Sequence, residues 1–170
     1  MRDNLEDTFR MFDEYLKSKD LNIVRGLTIA IELEMKSRNY YQTKSNEMKN
    51  LNGKILLSFL ANEELSHLKM LERVKRNLEA SNKWIEIEEI TPREMGKPRL
   101  FEGKQTEPKI KATSSDKDIL LAAMSAERKS EEYYHRMSQK IKDVKGKDLF
   151  QTLAKFERTH YKTIRELLKP

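Results

Sequence analysis

The chain has no cysteine, four prolines, five glycines and three histidines among its 170 residues. Without thiols there is no disulfide and no Cys₄ iron site. Three of the four prolines (Pro92, Pro98, Pro108) and two of the five glycines (Gly96, Gly103) fall within residues 81–114, so the remainder is almost free of helix breakers. No apolar run approaches the roughly 18 residues that a membrane span needs. No charged-then-apolar leader opens the sequence either, which predicts a cytoplasmic protein with no membrane partner. Neither charge sign dominates: 34 Lys and Arg face 28 Asp and Glu, a formal net charge of +6. The two signs are interspersed, as on solvated helix surfaces, so nucleic acid is not an expected partner. With 36% charged residues and a mean hydropathy of −0.83, the chain reads as soluble. Its length suits a single domain over 1–170 with a real hydrophobic core.

The chain does contain a repeat of itself. Shifted by 93 residues, it lies over itself without a gap. Ala30-x-x-x-Glu34-x-Lys36-Ser37-x-x-Tyr40-Tyr41-x-x-x-Ser45 falls on Ala123-x-x-x-Glu127-x-Lys129-Ser130-x-x-Tyr133-Tyr134-x-x-x-Ser138. Leu60-Ala61-x-x-Glu64-x-x-His67-x-Lys69 falls on Leu153-Ala154-x-x-Glu157-x-x-His160-x-Lys162. The chain therefore holds two copies of one helix pair. Each copy supplies a Glu from its first helix, Glu34 or Glu127, and a Glu-x-x-His from its second.

Residues three apart in a helix lie nearly on one face. One Glu-x-x-His arises often by chance. Two of them, related by the repeat, set in apolar stripes and using two of the three histidines, are far more specific. An inward carboxylate with no partner costs roughly several kcal/mol, and four facing one another cost more. Two divalent cations would cancel the four charges. Glu34, Glu64, His67, Glu127, Glu157 and His160 are thus the candidate metal ligands, the set of a di-iron carboxylate four-helix bundle. Carboxylate-rich ligation with two histidines suits iron, or manganese or a mixed pair, better than zinc.

Hydrophobic spacing supplies the rest of the frame. Leu5, Phe9, Phe12 and Leu16 predict a short amphipathic helix over residues 4–17. The first helix pair spans 21–80, with Asp20 as an N-cap and Val24, Leu27, Ala30, Ile31, Glu34, Arg38 and Tyr41 along the inner stripe. Asn52-Gly53 marks its turn, and Leu57, Leu60, Glu64, His67, Leu71, Val74 and Leu78 face inward beyond it. Residues 81–114 read as a crossover, in which Ile85 and Ile87 alternate with Glu86 and Glu88 as in a short extended piece. The second pair spans 115–168. Ser115 and Asp118 have capping-box spacing, Leu120, Ala123, Glu127, Tyr134 and Ile141 face inward, and Gly146 breaks the chain. Phe150, Leu153, Glu157, His160, Ile164 and Leu167 form the last stripe. Short links make each pair antiparallel, and the long crossover can run the bundle's length. The expected fold class is all-α, a four-helix bundle of two repeated antiparallel pairs with a short N-terminal helix.

The repeat also separates ligands from bystanders. Glu63 maps onto Phe156 and Glu32 onto Ser125, so neither belongs to the duplicated set. Glu131 lies one turn beyond Glu127, opposite Arg38 in the repeat, and is an additional ligand candidate. Tyr41 and Tyr134 follow Glu34 and Glu127 by two turns on the same face. Each phenol either fills the core or orients a carboxylate ligand. Tyr40 and Tyr133 read as packing residues, and His135, on the polar side, has no role.

With Ala30-Ile31-Glu32-Leu33-Glu34, Tyr40-Tyr41 and Glu64-Leu65-Ser66-His67, the chain resembles the rubrerythrin group of the ferritin-like superfamily, over roughly residues 22–80 and 115–168. The resemblance implies a ferritin-like bundle holding two iron ions and reducing hydrogen peroxide or oxygen. Glu34, Glu64, Glu127, Glu157, Tyr41 and Tyr134 would then be the catalytic groups, with Glu64 and Glu157 bridging the ions. A ferroxidase or iron-binding protein is the alternative. The rubredoxin domain of full rubrerythrins is absent, so an external electron donor such as rubredoxin is the expected partner, together with a second copy in a homodimer. The family's additional glutamate, one turn after the third-helix ligand, is replaced by Ser130 with Glu131 beside it.

Overall fold

A computed structural model describes residues 5–19, 21–85 and 114–169. Five helices account for their regular structure: α1 (Leu5–Lys17), α2 (Ile23–Glu47), α3 (Leu51–Ser81), α4 (Ser114–Lys140) and α5 (Val144–Leu168). The expected ferritin-like bundle is what the four long helices build. α2 packs along α3 and α4 along α5, while thinner α2–α4 and α3–α5 seams join the two pairs.

The helix ends correct the sequence reading. Asn22, rather than Asp20, caps α2: its side-chain oxygen accepts from the N–H groups of Val24 and Arg25 at 2.9 and 3.4 Å. Asp20 itself lies outside the described residues. Asn52 and Gly53 are not a turn but the first turn of α3. Asn50 caps that helix, accepting from Gly53 N–H at 3.1 Å. Gly146 likewise sits inside α5, whose cap Asp143 accepts its N–H at 2.8 Å. Neither glycine has a positive φ, so no special backbone angle calls for it. A Cβ on Gly53 would overlap Met48 Cε. One on Gly146 would stand 3.0 Å from Ile141 Cγ2, 3.2 Å from Ile23 Cδ1 and 3.3 Å from Trp84 Cζ2.

Ser115 and Asp118 both lie within α4, so they form no box ahead of it. The nearby Asp116 has a different task. Buried, it accepts the backbone N–H groups of Lys49 and Asn50 at 3.0 and 3.2 Å, tying the start of α4 to the α2–α3 link. Since Trp84 stands by Gly146 at the other end, the crossover joins opposite ends of the bundle. The suggested extended piece lies outside the described residues beyond Ile85.

α1 lies across α2 and α4. Phe12 and Leu16 are buried as expected, and Phe12 stacks on Tyr133 with ring centroids 3.5 Å apart. Tyr15, also buried, donates to the Asn22 carbonyl at 2.5 Å. Thr8 is fully buried, donating to Glu32 at 3.3 Å and accepting from Lys36 at 2.9 Å. Each large apolar side chain so covered contributes about 1.5–3 kcal/mol, so α1 is a working part of the core. Two apolar clusters fill the bundle: one around Phe12, Leu27, Leu71 and Phe150, the other around Tyr41, Leu56, Leu60 and Leu120. A polar layer separates them.

Candidate metal centre

That layer holds Glu34 from α2, Glu64 and His67 from α3, Glu127 from α4, and Glu157 and His160 from α5. None is more than 2% exposed. The six residues singled out in the sequence are brought together without exception. His67 Nδ1 lies 3.3 Å from Glu34 Oε2, 3.4 Å from Glu64 Oε2 and 3.9 Å from Glu157 Oε1. The other half mirrors this: His160 Nδ1 lies 3.5 Å from Glu127 Oε2, 3.6 Å from Glu157 Oε2 and 3.3 Å from Glu64 Oε1. Two overlapping groups result, Glu34/Glu64/His67/Glu157 and Glu64/Glu127/Glu157/His160, each with ligand atoms within 4.8 Å of one another. Glu64 and Glu157 belong to both.

These contacts are close without being aligned. Glu34 Oε2, both Glu64 oxygens, Glu157 Oε1 and both ring nitrogens of His67 and His160 have no hydrogen-bond partner. Buried polar atoms normally have one, so a layer with this many unpaired acceptors asks for cations.

In the absence of a cation, protons share the work. Burial pushes the Glu64 carboxyl well above the ordinary range, and the neighbouring Glu34 charge adds to it. Burial raises Glu157 in the same way, reinforced by the charges of Glu64 and Glu127. For Glu34 burial is outweighed by a proton offered from Glu64 and by His67 and Tyr134, which together hold it down at about 2. Glu127 is likewise lowered against its burial, by the His160 charge and by the Glu157 carboxyl. Burial alone would depress His160, but the Glu127 charge and the surrounding carboxyls lift it well above its usual value. The site thus sorts into two carboxyls held above the ordinary range, Glu64 and Glu157, and two held below it, Glu34 and Glu127.

The tyrosines complete the layer. Tyr41 donates to Glu127 Oε1 and Tyr134 to Glu34 Oε1, each bond crossing from one half to the other. Burial, with the carboxylate charges, keeps both phenols protonated well beyond their usual range. Tyr40 and Tyr133 pack beside them. Phe156 is a contributor the sequence reading passed over. Its ring stacks on His67 with centroids 4.8 Å apart and planes 9° apart, fixing that imidazole from behind. The signal was available, because Phe156 breaks the repeat one residue before Glu157, where the first half has Glu63. Glu131 is not in either group. Its side chain is 30% exposed, with Arg158 Nε 3.9 Å away. Glu32 pairs with Lys36 at 2.9 Å, away from the cluster. Ser130, where the family carries a further glutamate, turns back to the Ala126 carbonyl at 3.1 Å.

The Rubrerythrin family model matches residues 26–168, all but the first turn of the four long helices. The chain belongs to the rubrerythrin family. No curated protein and no solved structure matches it. Rubrerythrin membership implies iron, and the donor set here fits such an ion: carboxylates and imidazoles, inward and buried, with four carboxylate oxygens and all four ring nitrogens lacking a hydrogen-bond partner. α1 precedes the matched rubrerythrin region and packs onto it. Among the described residues no helix is long and apolar enough to cross a membrane.

Proposed function

We propose that the chain is a non-haem di-iron oxidoreductase that reduces hydrogen peroxide, or oxygen, with electrons from a separate carrier protein. The observation that carries this reading is the pair of overlapping ligand groups sharing Glu64 and Glu157. In it, Glu34 and His67 would hold one ion and Glu127 and His160 the other, with Glu64 and Glu157 available to both. Two irons held there, each changing by one electron, would supply the two electrons that peroxide needs, with two protons, to give two waters. The protein's part is to hold the donors in place before any ion arrives. Tyr41 and Tyr134 fix the carboxylates of Glu127 and Glu34, and Phe156 fixes His67. The apolar clusters on either side exclude water, which strengthens every charge interaction inside. The test is anaerobic loading with ferrous ion, then peroxide, with and without a reduced rubredoxin. Repeated turnover that depends on the carrier supports the reading. A single round of iron oxidation without further peroxide consumption points to an iron-handling protein instead.

A further inference from the structure

The two halves agree at the centre and differ at the surface. On the outer side of α4 and α5, Arg128, Arg158, Lys162 and Arg165 line one hollow with Tyr161 and Glu131. Its cations are exposed: the Arg158 side chain is 64% and the Arg165 side chain 51% accessible, the latter with Glu166, outside the lining, 3.6 Å away. Glu131 is the one carboxylate of that lining, and it stands 3.9 Å from Arg158. Shifted by 93 residues, the equivalent positions on α2 and α3 are Met35, Leu65, Lys69, Glu72, Leu68 and Arg38. There two cations meet one carboxylate; here four do. The repeat kept every donor of the metal layer, while the positions lining this hollow carry two more cations than their counterparts in the first half.

The position of the hollow matters as much as its charge. Arg128 and Arg158 follow Glu127 and Glu157 directly in the chain, and Tyr161 follows His160. The hollow is therefore the outer side of the helical turns whose inner side carries half the cluster. A helix with its side chains is about 10–12 Å across, so a partner seated there stands on the order of one helix diameter from the donors. Resting on the peroxidase reading above, we propose that this hollow is the docking surface for a small acidic one-electron carrier protein. Arginine and tyrosine at its centre are the residue types that anchor protein interfaces. A small, charge-steered contact gives the fast exchange that electron delivery requires. Nucleic acid would need a basic stripe running on across the surface, whereas Lys129 and Arg136 on the neighbouring face are held in closer pairs, with Glu6 and Asp13, than the 3.6 and 3.9 Å separations at the hollow.

The test measures binding, not turnover. The iron-loaded protein is titrated with an oxidised acidic rubredoxin at low and at high salt, followed by calorimetry. Binding should weaken at least tenfold as salt rises, and Arg158→Glu and Lys162→Glu should each weaken it roughly five- to tenfold at low salt. Lys69→Glu, the same charge change at the repeat-related position on α3, should alter it less than twofold. Melting temperature and iron content confirm that each variant is folded and loaded. Equal losses from Lys69→Glu and Lys162→Glu, no binding at low salt, or tighter binding of duplex DNA than of the carrier would each overturn the proposal. Peroxide consumption by the unaltered protein with a neutral reductant such as hydroquinone is measured separately. Failure there, with face-specific docking intact, counts against the peroxidase reading alone.

Discussion

Tyr134 on α4 donates its phenol hydrogen to Glu34 on α2, one hundred residues earlier in the chain. Tyr41 on α2 makes the same bond to Glu127 on α4. Each tyrosine follows the glutamate of its own helix by seven residues, about 10 Å along the axis, too far to reach it. Because α2 and α4 run antiparallel, that offset instead brings it level with the glutamate of the other half. Tyr134→Phe should therefore leave iron content unchanged and lower peroxide turnover on the order of tenfold, as loss of a group orienting a ligand does. Tyr41→Phe should match it. Iron per chain and steady-state turnover decide the matter, and loss of iron in either variant would make the phenol more than a brace.

Glu64→Ala and Glu157→Ala should each lower the metal content below two ions per chain, because both residues belong to both ligand groups. Glu32→Ala and Glu63→Ala should leave it unchanged, since neither lies in a ligand group. Elemental analysis of all four proteins is sufficient. Retention of both ions by Glu64→Ala would refute the shared-ligand arrangement.

The metal-free protein should be most stable in mildly acidic solution. Glu64 and Glu157 have carboxyls raised above 4.5, and His160 is raised above 6.5. Each binds its proton more tightly folded than unfolded, so its contribution is complete below the unfolded value and is lost as pH rises. Glu34, held at about 2, and Glu127, also lowered, act in the opposite sense: their contribution is lost as pH falls below 4.5. The melting temperature without metal should fall as pH rises above 4.5, and further above 6.5, while the loaded protein changes far less. Loading should also release protons, since Glu64, Glu157 and His160 all hold theirs more tightly than usual in the metal-free site and must give them up to bind a cation. Calorimetry in buffers of different ionisation enthalpy counts them, and zero release would contradict the protonated site.

The two repeat-related glycines should respond differently to alanine. A helical Gly→Ala change gains about 0.5–1 kcal/mol where there is room. At Gly53 the obstacle is Met48 Cε, the free end of a flexible side chain that can swing aside. Gly53→Ala should be neutral or slightly stabilising. At Gly146 the new methyl meets Ile141, Ile23 and Trp84 together, at 3.0, 3.2 and 3.3 Å. Overpacking there should cost about 1–2 kcal/mol net, a fall in Tm of roughly 2–8 °C. Thermal melts of the two variants compare them directly, and a larger loss at Gly53 would mean that Met48 cannot move.

The helices and the six inward donors were legible because both follow from periodicity. An apolar stripe fixes a face, and a gapless repeat identifies which residues share an environment. Contacts between halves were not legible, since the shift relates Tyr41 to Tyr134 but does not say which glutamate either one meets. Phe156 was hidden for a related reason: the repeat draws attention to what matches, and this stacking ring is where the halves differ. The turn residues misled in an instructive way. Gly53 and Gly146 both sit within a first helical turn, and Gly146, hemmed in by Ile141, Ile23 and Trp84, looks in sequence like a glycine selected for a bend. Glu131 shares the inner stripe by spacing, yet its side chain is 30% exposed, beside Arg158 and outside both ligand groups.

Each ligand group takes three members from one helix pair and a single member from the other: Glu157 completes the first, and Glu64 completes the second. Neither pair owns a finished group. Anything that parts α2 and α3 from α4 and α5 along their thin seams dismantles both groups in one movement, and anything that draws the donors together draws the pairs together. The halves of this chain are locked by what they lend each other.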